Sequence, residues 1–398
     1  MSALRERRRK VFIGADYWNK LLRELPNVVE ETADDISNLH ERILNYTGDI
    51  LIFGNEWKKY RIDTRDIREL REKFPFAGVD SSMTPPQRLG PYLVSAVSAA
   101  LVITRGVCDE PLKSLNVKIE KAPELSDAKH AINEIRLKMF ELETEMINKA
   151  IGSLKNDYEK GVILIDGPIV DPPNFPKSPQ TLRNYYETEY AKNRSNIIHF
   201  GISEGLNIIG VVKKISGNFL SEYLANTLNE KDLFEKVNDY TIATLLFKSK
   251  KLNNILISAC NSYEDVILAS RPLELSEKGT DYRAYREHGI YVFYFYILMS
   301  LRDLKKKILR LEIVFDHEPQ MSELLENAWK AAKLVAAATL PGHSLPAPII
   351  LAHESCTIPR STAKIIVREM VSRYLTNFSK QRLGSLEVAI NLSLNLLD

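Results

Sequence analysis

An α/β fold, a mixed five-stranded sheet flanked by helices, is what this sequence predicts, and three runs of residues carry the prediction. Phe76-Ala77-Gly78-Val79-Asp80 and Val162-Ile163-Leu164-Ile165-Asp166 are short apolar runs that read as buried central strands, each ending on an aspartate. A third run, Pro348-Ile349-Ile350-Leu351-Ala352-His353, ends on a histidine. A strand delivers the residue at its end to the rim of the sheet, where ligands bind. Two carboxylates and an imidazole are the donors of a divalent-metal enzyme.

The elements follow in order. To about Tyr60 the chain reads as helix, with Trp18, Leu21, Leu22 and Leu25 at helical spacing and Ile36, Leu39, Ile43 and Leu44 after Pro26; residues 1–70 form an N-terminal helical arm. Strands are expected at the Asp80 run, from Tyr92 to Thr104 and from Leu115 to Ile119. A helix from Ser126 to Leu154, the Asp166 strand, a polar helix near Gln180 to Glu204 and a strand from Leu206 to Val212 come next. The order β-β-β-α-β-α-β is that of a ribonuclease-H-like core, here 71–225. Residues 226–330 read as helical and strand elaboration, with strands at Tyr291 to Met299 and Ile308 to Phe315. Residues 331–398 hold the His353 segment and C-terminal helices: a helix from Met321 runs to Leu340, a Pro-rich stretch carries His353, and two helices start at Ser361 and Phe378. No linker rich in Pro, Gly or Ser divides the chain, so 1–398 is expected to be a single domain.

Composition narrows the function. The formal net charge is only +2, so no global field attracts nucleic acid, and a polyanion must be held by local clusters. Cys108, Cys260 and Cys356 are scattered without Cys-x-x-Cys spacing, which argues against a disulfide scaffold, a structural zinc and secretion. Val11-Phe12-Ile13 after the basic Arg5 to Lys10 stretch is too short for a signal peptide, and later apolar runs fall short of a membrane span. A cytoplasmic protein without membrane attachment is expected.

The helix between the third and fourth strands adds a carboxylate. Its apolar stripe includes Ile132, Ile135, Met139, Phe140, Met146, Ile147, Ala150, Ile151 and Leu154, and Glu143 falls inside it. A carboxylate there needs a partner, and a metal shared with Asp80 and Asp166 would supply one. Glu141 and Glu145, at neighbouring polar positions, are the alternatives. His353 tilts the metal towards Mn²⁺, because imidazole is a poorer ligand for Mg²⁺. Lys213, at the end of the Ile208 to Val212 strand, sits on the same rim and can hold a scissile phosphate. Each residue has a plainer role: Asp80 and Asp166 suit turns, Glu143 can pair with Arg136 or Lys149, His353 can be a core histidine, and lysines are usually solvated. Their joint occurrence is what favours a site.

Four motifs together resemble the NurA family of archaeal nucleases: Gly78-Val79-Asp80-x-Ser82, Ile163-Leu164-Ile165-Asp166-Gly167, Gly210-Val211-Val212-Lys213 followed by Ser216, and Pro346-x-Pro348-x-x-x-Ala352-His353. The resemblance implies Mn²⁺-dependent cutting of DNA, as 5'-3' exonuclease and single-strand endonuclease, in end processing for recombinational repair. It also implies a two-ion site with Mg²⁺ as a substitute, a homodimer, docking onto a HerA-like hexameric ATPase, and a functional link to Mre11–Rad50. Asp80, Glu143, Asp166 and His353 would be metal ligands, and Lys213 the strand-end lysine. Two departures stand out. Ser81 replaces the family's usual glycine, and Gly342-His343-Ser344-Leu345 lacks its tyrosine, for which His343 is a stand-in. The alternative function is a weakly active or non-catalytic adaptor of a DNA-translocating ATPase. An actin-like ATPase or sugar kinase is disfavoured, because its phosphate loop needs glycine where Ser81 stands.

Overall fold

The computed structural model describes residues 24–26, 28–30, 32–38, 41, 64–106, 109–123, 128–157, 161–170, 180–215, 217–229, 231–234, 237–247, 268–277, 281–298, 308–340 and 342–381. The described residues of the expected arm are helical at 24–26, 28–30, 32–38 and 41, and the remainder before α1 (Thr64–Lys73) lies outside them. Then come β1 (Pro75–Met83), β2 (Gln87–Leu89), β3 (Tyr92–Arg105), β4 (Leu112–Pro123), α2 (Ala128–Asp157) and β5 (Val162–Ile165). Helices α3 (Gln180–Tyr185) and α4 (Ala191–Ser203), joined by a π-helical turn at Tyr186–Tyr190, lead to β6 (Asn207–Val212). Beyond it lie α5 (Phe219–Leu228), α6 (Lys231–Phe234), α7 (Asp239–Phe247), β7 (Leu268–Ala269), β8 (Leu273–Glu274), α8 (Tyr282–Glu287), β9 (Tyr291–Leu298), β10 (Ile308–Phe315), α9 (Met321–Ala338), α10 (Ala347–Cys356) and α11 (Arg360–Gln381).

The five expected core strands lie side by side as β4-β3-β1-β5-β6. β3 runs antiparallel to both β1 and β4, whereas β1, β5 and β6 are mutually parallel, which is the ribonuclease-H-like arrangement. β5 is the centre. Its four residues Val-Ile-Leu-Ile are all buried, as a parallel strand covered on both faces requires. Alternation along the strands sorts side chains between two cores. Ala77, Val79, Ile163 and Ile165 meet Ile135, Ile147 and Ile151 of α2 and Ile198 of α4 on one face. Phe76, Val162, Leu164 and Ile209 meet Ala328, Leu334 and Val335 of α9 and Ile349 of α10 on the other.

Two expectations need correction, and the sheet runs on beyond its five-stranded core. The sheet does not stop at five strands: β10 pairs antiparallel with β6, and β9, β7 and β8 continue it, giving ten strands in one sheet. The strand runs of the elaboration were visible, but their place in the sheet depends on long-range pairing that local pattern does not encode. The His353 run is helix α10, not extended chain, because a continuous apolar run fits a buried helix as well as a strand, and Pro348 falls in the first turn, where proline is tolerated. Phe378 starts no new helix and lies inside α11. No helix among the described residues is long and apolar enough to cross a membrane.

On the far side of β3, β4 pairs with no other strand among the described residues. Leu112, Leu115, Val117 and Ile119 on it are all exposed.

Candidate metal centre

The site lies where the pairing of β1 with β5 ends. Register couples Val79 to Ile165, so Asp80 and Asp166 follow immediately on adjacent parallel strands and point to the same face. β1 itself continues to Met83 along β3, so Asp80 is held inside a strand. The Asp166 N–H donates to the Val79 carbonyl at 2.9 Å. The chain then turns through Gly167, whose φ of 141° only glycine adopts readily, and the Gly167 N–H donates to the Val211 carbonyl at 3.1 Å. Further on, the Ile169 N–H donates to the Glu312 carboxylate at 2.7 Å. Glu312 is fully buried and paired with Arg310 at 2.9 Å, so the Asp166 loop is pinned from β10, which lies beyond β6 in the sheet.

Helix α10 crosses this face and adds the histidine. It can come close because β1 carries glycine: a Cβ on Gly78 would overlap the Pro348 carbonyl. His353 Nδ1 lies 2.6 Å from Asp80 Oδ2 and 3.7 Å from Asp166 Oδ2. Cys356, one helical turn on and buried, places its Sγ 3.3 Å from the same Asp80 oxygen. Lys213, just past β6, donates from Nζ to Asp166 Oδ2 at 2.6 Å. The other Asp80 oxygen accepts the Ser81 N–H at 2.7 Å.

Burial, reinforced by the negative charge of Asp80, pushes the Asp166 carboxyl above its usual range, with Lys213 and His353 opposing. Burial and the Asp80 charge thus outweigh Lys213 and His353 at the Asp166 carboxyl. A divalent cation would remove that imbalance, and the oxygen and imidazole donors suit a hard or borderline ion such as Mn²⁺. Burial and the neighbouring carboxylates raise the Cys356 thiol strongly, so it stands protonated and donates to Asp80. The residues fit a divalent metal.

Glu143 stands on the opposite face of the sheet, almost fully buried on α2. It is one hydrogen bond removed from Asp80: the Ser81 hydroxyl donates to Glu143 Oε2 at 2.6 Å. Its Oε1 accepts from Arg194 Nη2 at 2.9 Å, and Arg194, 0% exposed, also donates to Thr144 Oγ1 at 3.0 Å and Tyr190 Oη at 3.3 Å. Glu141 and Glu145 turn elsewhere, to Lys138 and Tyr185 and to Lys118 and Asn116 respectively. His343 is exposed in the turn before α10.

Asp80, Asp166, His353 and Lys213 thus converge, with Glu143 behind them. Sequence reasoning missed Arg194, which sits in a polar helix with nothing to distinguish it. It also passed over Cys356, although His353-x-x-Cys356 is a spacing that brings two side chains to one side of a helix, and it treated Ser81 only as a lost glycine.

Comparison with known proteins gives one family. The sequence model of the NurA domain matches residues 74–355, from the start of β1 into α10, well over half of the chain. No curated protein matches the sequence. Among solved structures, a crystal structure of NurA is similar at 13% identity and a TM-score of 0.43, covering 92% of this chain and 99% of that one. A structure of NurA with manganese follows at 13% and 0.41, covering 90% and 98%. Endonuclease V of Ciona intestinalis, in complex with a 24mer DNA containing an inosine, is similar at 14% and 0.32, covering 78% and 98%. With the domain match enclosing every residue of the cluster except Cys356, the chain belongs to the NurA family of nucleases.

Proposed function

We propose that this chain is a divalent-metal-dependent DNA nuclease, hydrolysing phosphodiester bonds as a 5'-3' exonuclease and single-strand endonuclease in end processing for recombinational repair. The observation that carries the proposal is the convergence of two buried carboxylates, one imidazole and one ammonium on a single rim of the sheet. Asp80, Asp166 and His353 are the residues that would hold Mn²⁺ or Mg²⁺; Glu143 would join them as a ligand for a second ion only on releasing Arg194 and the Ser81 hydroxyl, which hold its two oxygens here. Bound there, the ions acidify a water and offset charge on the phosphate. Lys213, its side chain 31% exposed, can leave Asp166 for a phosphate oxygen and meet the charge that develops there. His353 is half exposed and forms the substrate-facing side of the cluster.

A near-neutral chain cannot grip a long polyanion by bulk field, which supports assembly as part of the function. The proposal therefore includes a single-domain cytoplasmic protein that forms a homodimer around DNA and docks on a HerA-like hexameric ATPase, taking ends opened by Mre11–Rad50. Val11-Phe12-Ile13, Leu51-Ile52-Phe53 and Trp57 of the N-terminal arm offer apolar material for such docking; they lie outside the described residues. The test is incubation of labelled linear DNA with purified protein and Mn²⁺, Mg²⁺ or EDTA. Cutting with Mn²⁺ that EDTA abolishes is expected, and a folded protein that cuts with neither ion would overturn the proposal. Light scattering and co-migration with a HerA-type ATPase test the assembly.

A further inference from the structure

The donors around Asp80 are of two kinds. Asp80, Asp166 and His353 offer hard or borderline atoms, whereas Cys356 brings sulfur to the same point. Cys356 Sγ is 3.3 Å from Asp80 Oδ2, His353 Nδ1 is 2.6 Å from that oxygen, and the ligand atoms of these three residues all lie within 4.8 Å of one another. Asp166 Oδ2 lies beside this trio, 3.7 Å from His353 Nδ1, and would become the fourth ligand on leaving Lys213, which holds it at 2.6 Å. A tetrahedral zinc with bonds of about 2.0–2.3 Å spaces its ligands roughly 3.2–3.8 Å apart. Within the trio, movements of about an ångström convert one arrangement into the other, and the half-exposed His353 has room to make them.

We infer that Asp80, Asp166, His353 and Cys356 form a closed site for a thiophilic divalent ion of the zinc class, and that such an ion inhibits the nuclease. Hard ions have little affinity for sulfur, so Mn²⁺ or Mg²⁺ leaves Cys356 as a neutral thiol and keeps coordination positions open for water. A thiophilic ion takes the sulfur as well. Four protein ligands then fill a tetrahedral shell, the arrangement of structural zinc sites, and no position remains for water or phosphate. Formation of the metal–sulfur bond releases the thiol proton to solvent, one per ion. Inhibition rests on the nuclease proposed above, whereas binding does not.

The test uses the full-length protein, stripped of metal and titrated with Co²⁺ as a spectroscopic substitute for zinc. A sulfur-to-cobalt charge-transfer band is expected in the wild type and should vanish in Cys356→Ser, which retains a hydrogen-bond donor to Asp80. Zn²⁺ competition should show affinity weakened by roughly tenfold or more, since even residues behind a ligand commonly contribute that much. Mn²⁺ binding followed by electron paramagnetic resonance should persist in the variant, showing an intact fold. The Zn²⁺ concentration that halves cutting, measured relative to each protein's own Mn²⁺ activity, should rise in parallel. Absence of the band from the wild type, or its survival in Cys356→Ser, would overturn the site. Zinc held through sulfur without loss of Mn²⁺-dependent cutting would overturn inhibition. A protein with the band and no nuclease activity would sink the nuclease proposal and leave the thiophilic site standing.

Discussion

Replacing Arg194 with methionine would leave the Glu143 carboxylate buried without its cation. The two side chains are 0% and 5% exposed and 2.9 Å apart, so little water reaches the pair. Removing one partner of a buried ion pair costs about 3–5 kcal/mol, chiefly because the surviving charge is stranded. At roughly 2.1 cal/mol/K of unfolding entropy per residue, a 398-residue chain melting as a unit has about 0.84 kcal/mol/K, so Arg194→Met should lower Tm by about 4–6 °C. Adding Glu143→Gln removes the stranded charge and should recover at least half of the loss. Scanning calorimetry of the four proteins of this double-mutant cycle, with and without Mn²⁺, is the assay. Mn²⁺ should raise Tm more in Arg194→Met than in the wild type, because the released carboxylate becomes available to a cation. A single variant melting within about 1 °C of wild type, or a double variant no better than the single, would refute the reasoning.

Asp80→Asn and Asp166→Asn should each lower DNA cutting by about a hundredfold or more in a gel assay, since each removes a charge that holds the cation. Lys213→Met should lower the cutting rate more than it weakens DNA binding by fluorescence anisotropy, because its charge matters most as charge develops on the phosphate. Asp166 titrates above its unfolded value, so its contribution to folding is full at acid pH and is lost as pH rises through the raised folded pKa. Metal-free Asp166→Asn should therefore melt above wild type at pH 8, with the gain shrinking as pH falls; a gain that does not change with pH would contradict this. Gly78→Ala should cost about 1–3 kcal/mol in denaturant unfolding, because the new methyl meets the Pro348 carbonyl and must displace the helix that carries His353.

The core was legible where the signal was local. Val162 to Ile165 and Ile208 to Val212 are apolar and short enough to be read as central strands, and their order fixed the ribonuclease-H-like arrangement. Asp166 stands just past the end of β5 as its run suggests, whereas Asp80 lies inside β1, which runs on to Met83; the pairing of β1 with β5 ends before both and brings them together. Glu143 was separated from Glu141 and Glu145 by helical phase alone, and the three side chains do go to different places. What stayed hidden depended on contacts distant in sequence. Arg194 pairs with a residue 51 positions away, and Cys356 meets Asp80 across 276. β9 and β10 looked like strands but gave no sign of joining β6. His353 does lie beside Asp80, but on a helix rather than extended chain, since Pro348 to Ala352 has no period to separate helix from strand.

β4, whose outer side pairs with no strand among the described residues, bears on how the molecule avoids open-ended strand addition by its own copies. A 12-residue edge strand with Leu115, Val117 and Ile119 exposed in a row is the kind of template on which sheets from other molecules extend. The same face carries Lys113 and Lys121. If two such strands met antiparallel about Val117, each Lys113 would oppose Lys121 of its mate, and like charges directly across a ladder repel. The lysines thus act as gatekeepers against endless strand addition, and exchanging both for threonine should show as turbidity on concentration well before any loss of thermal stability.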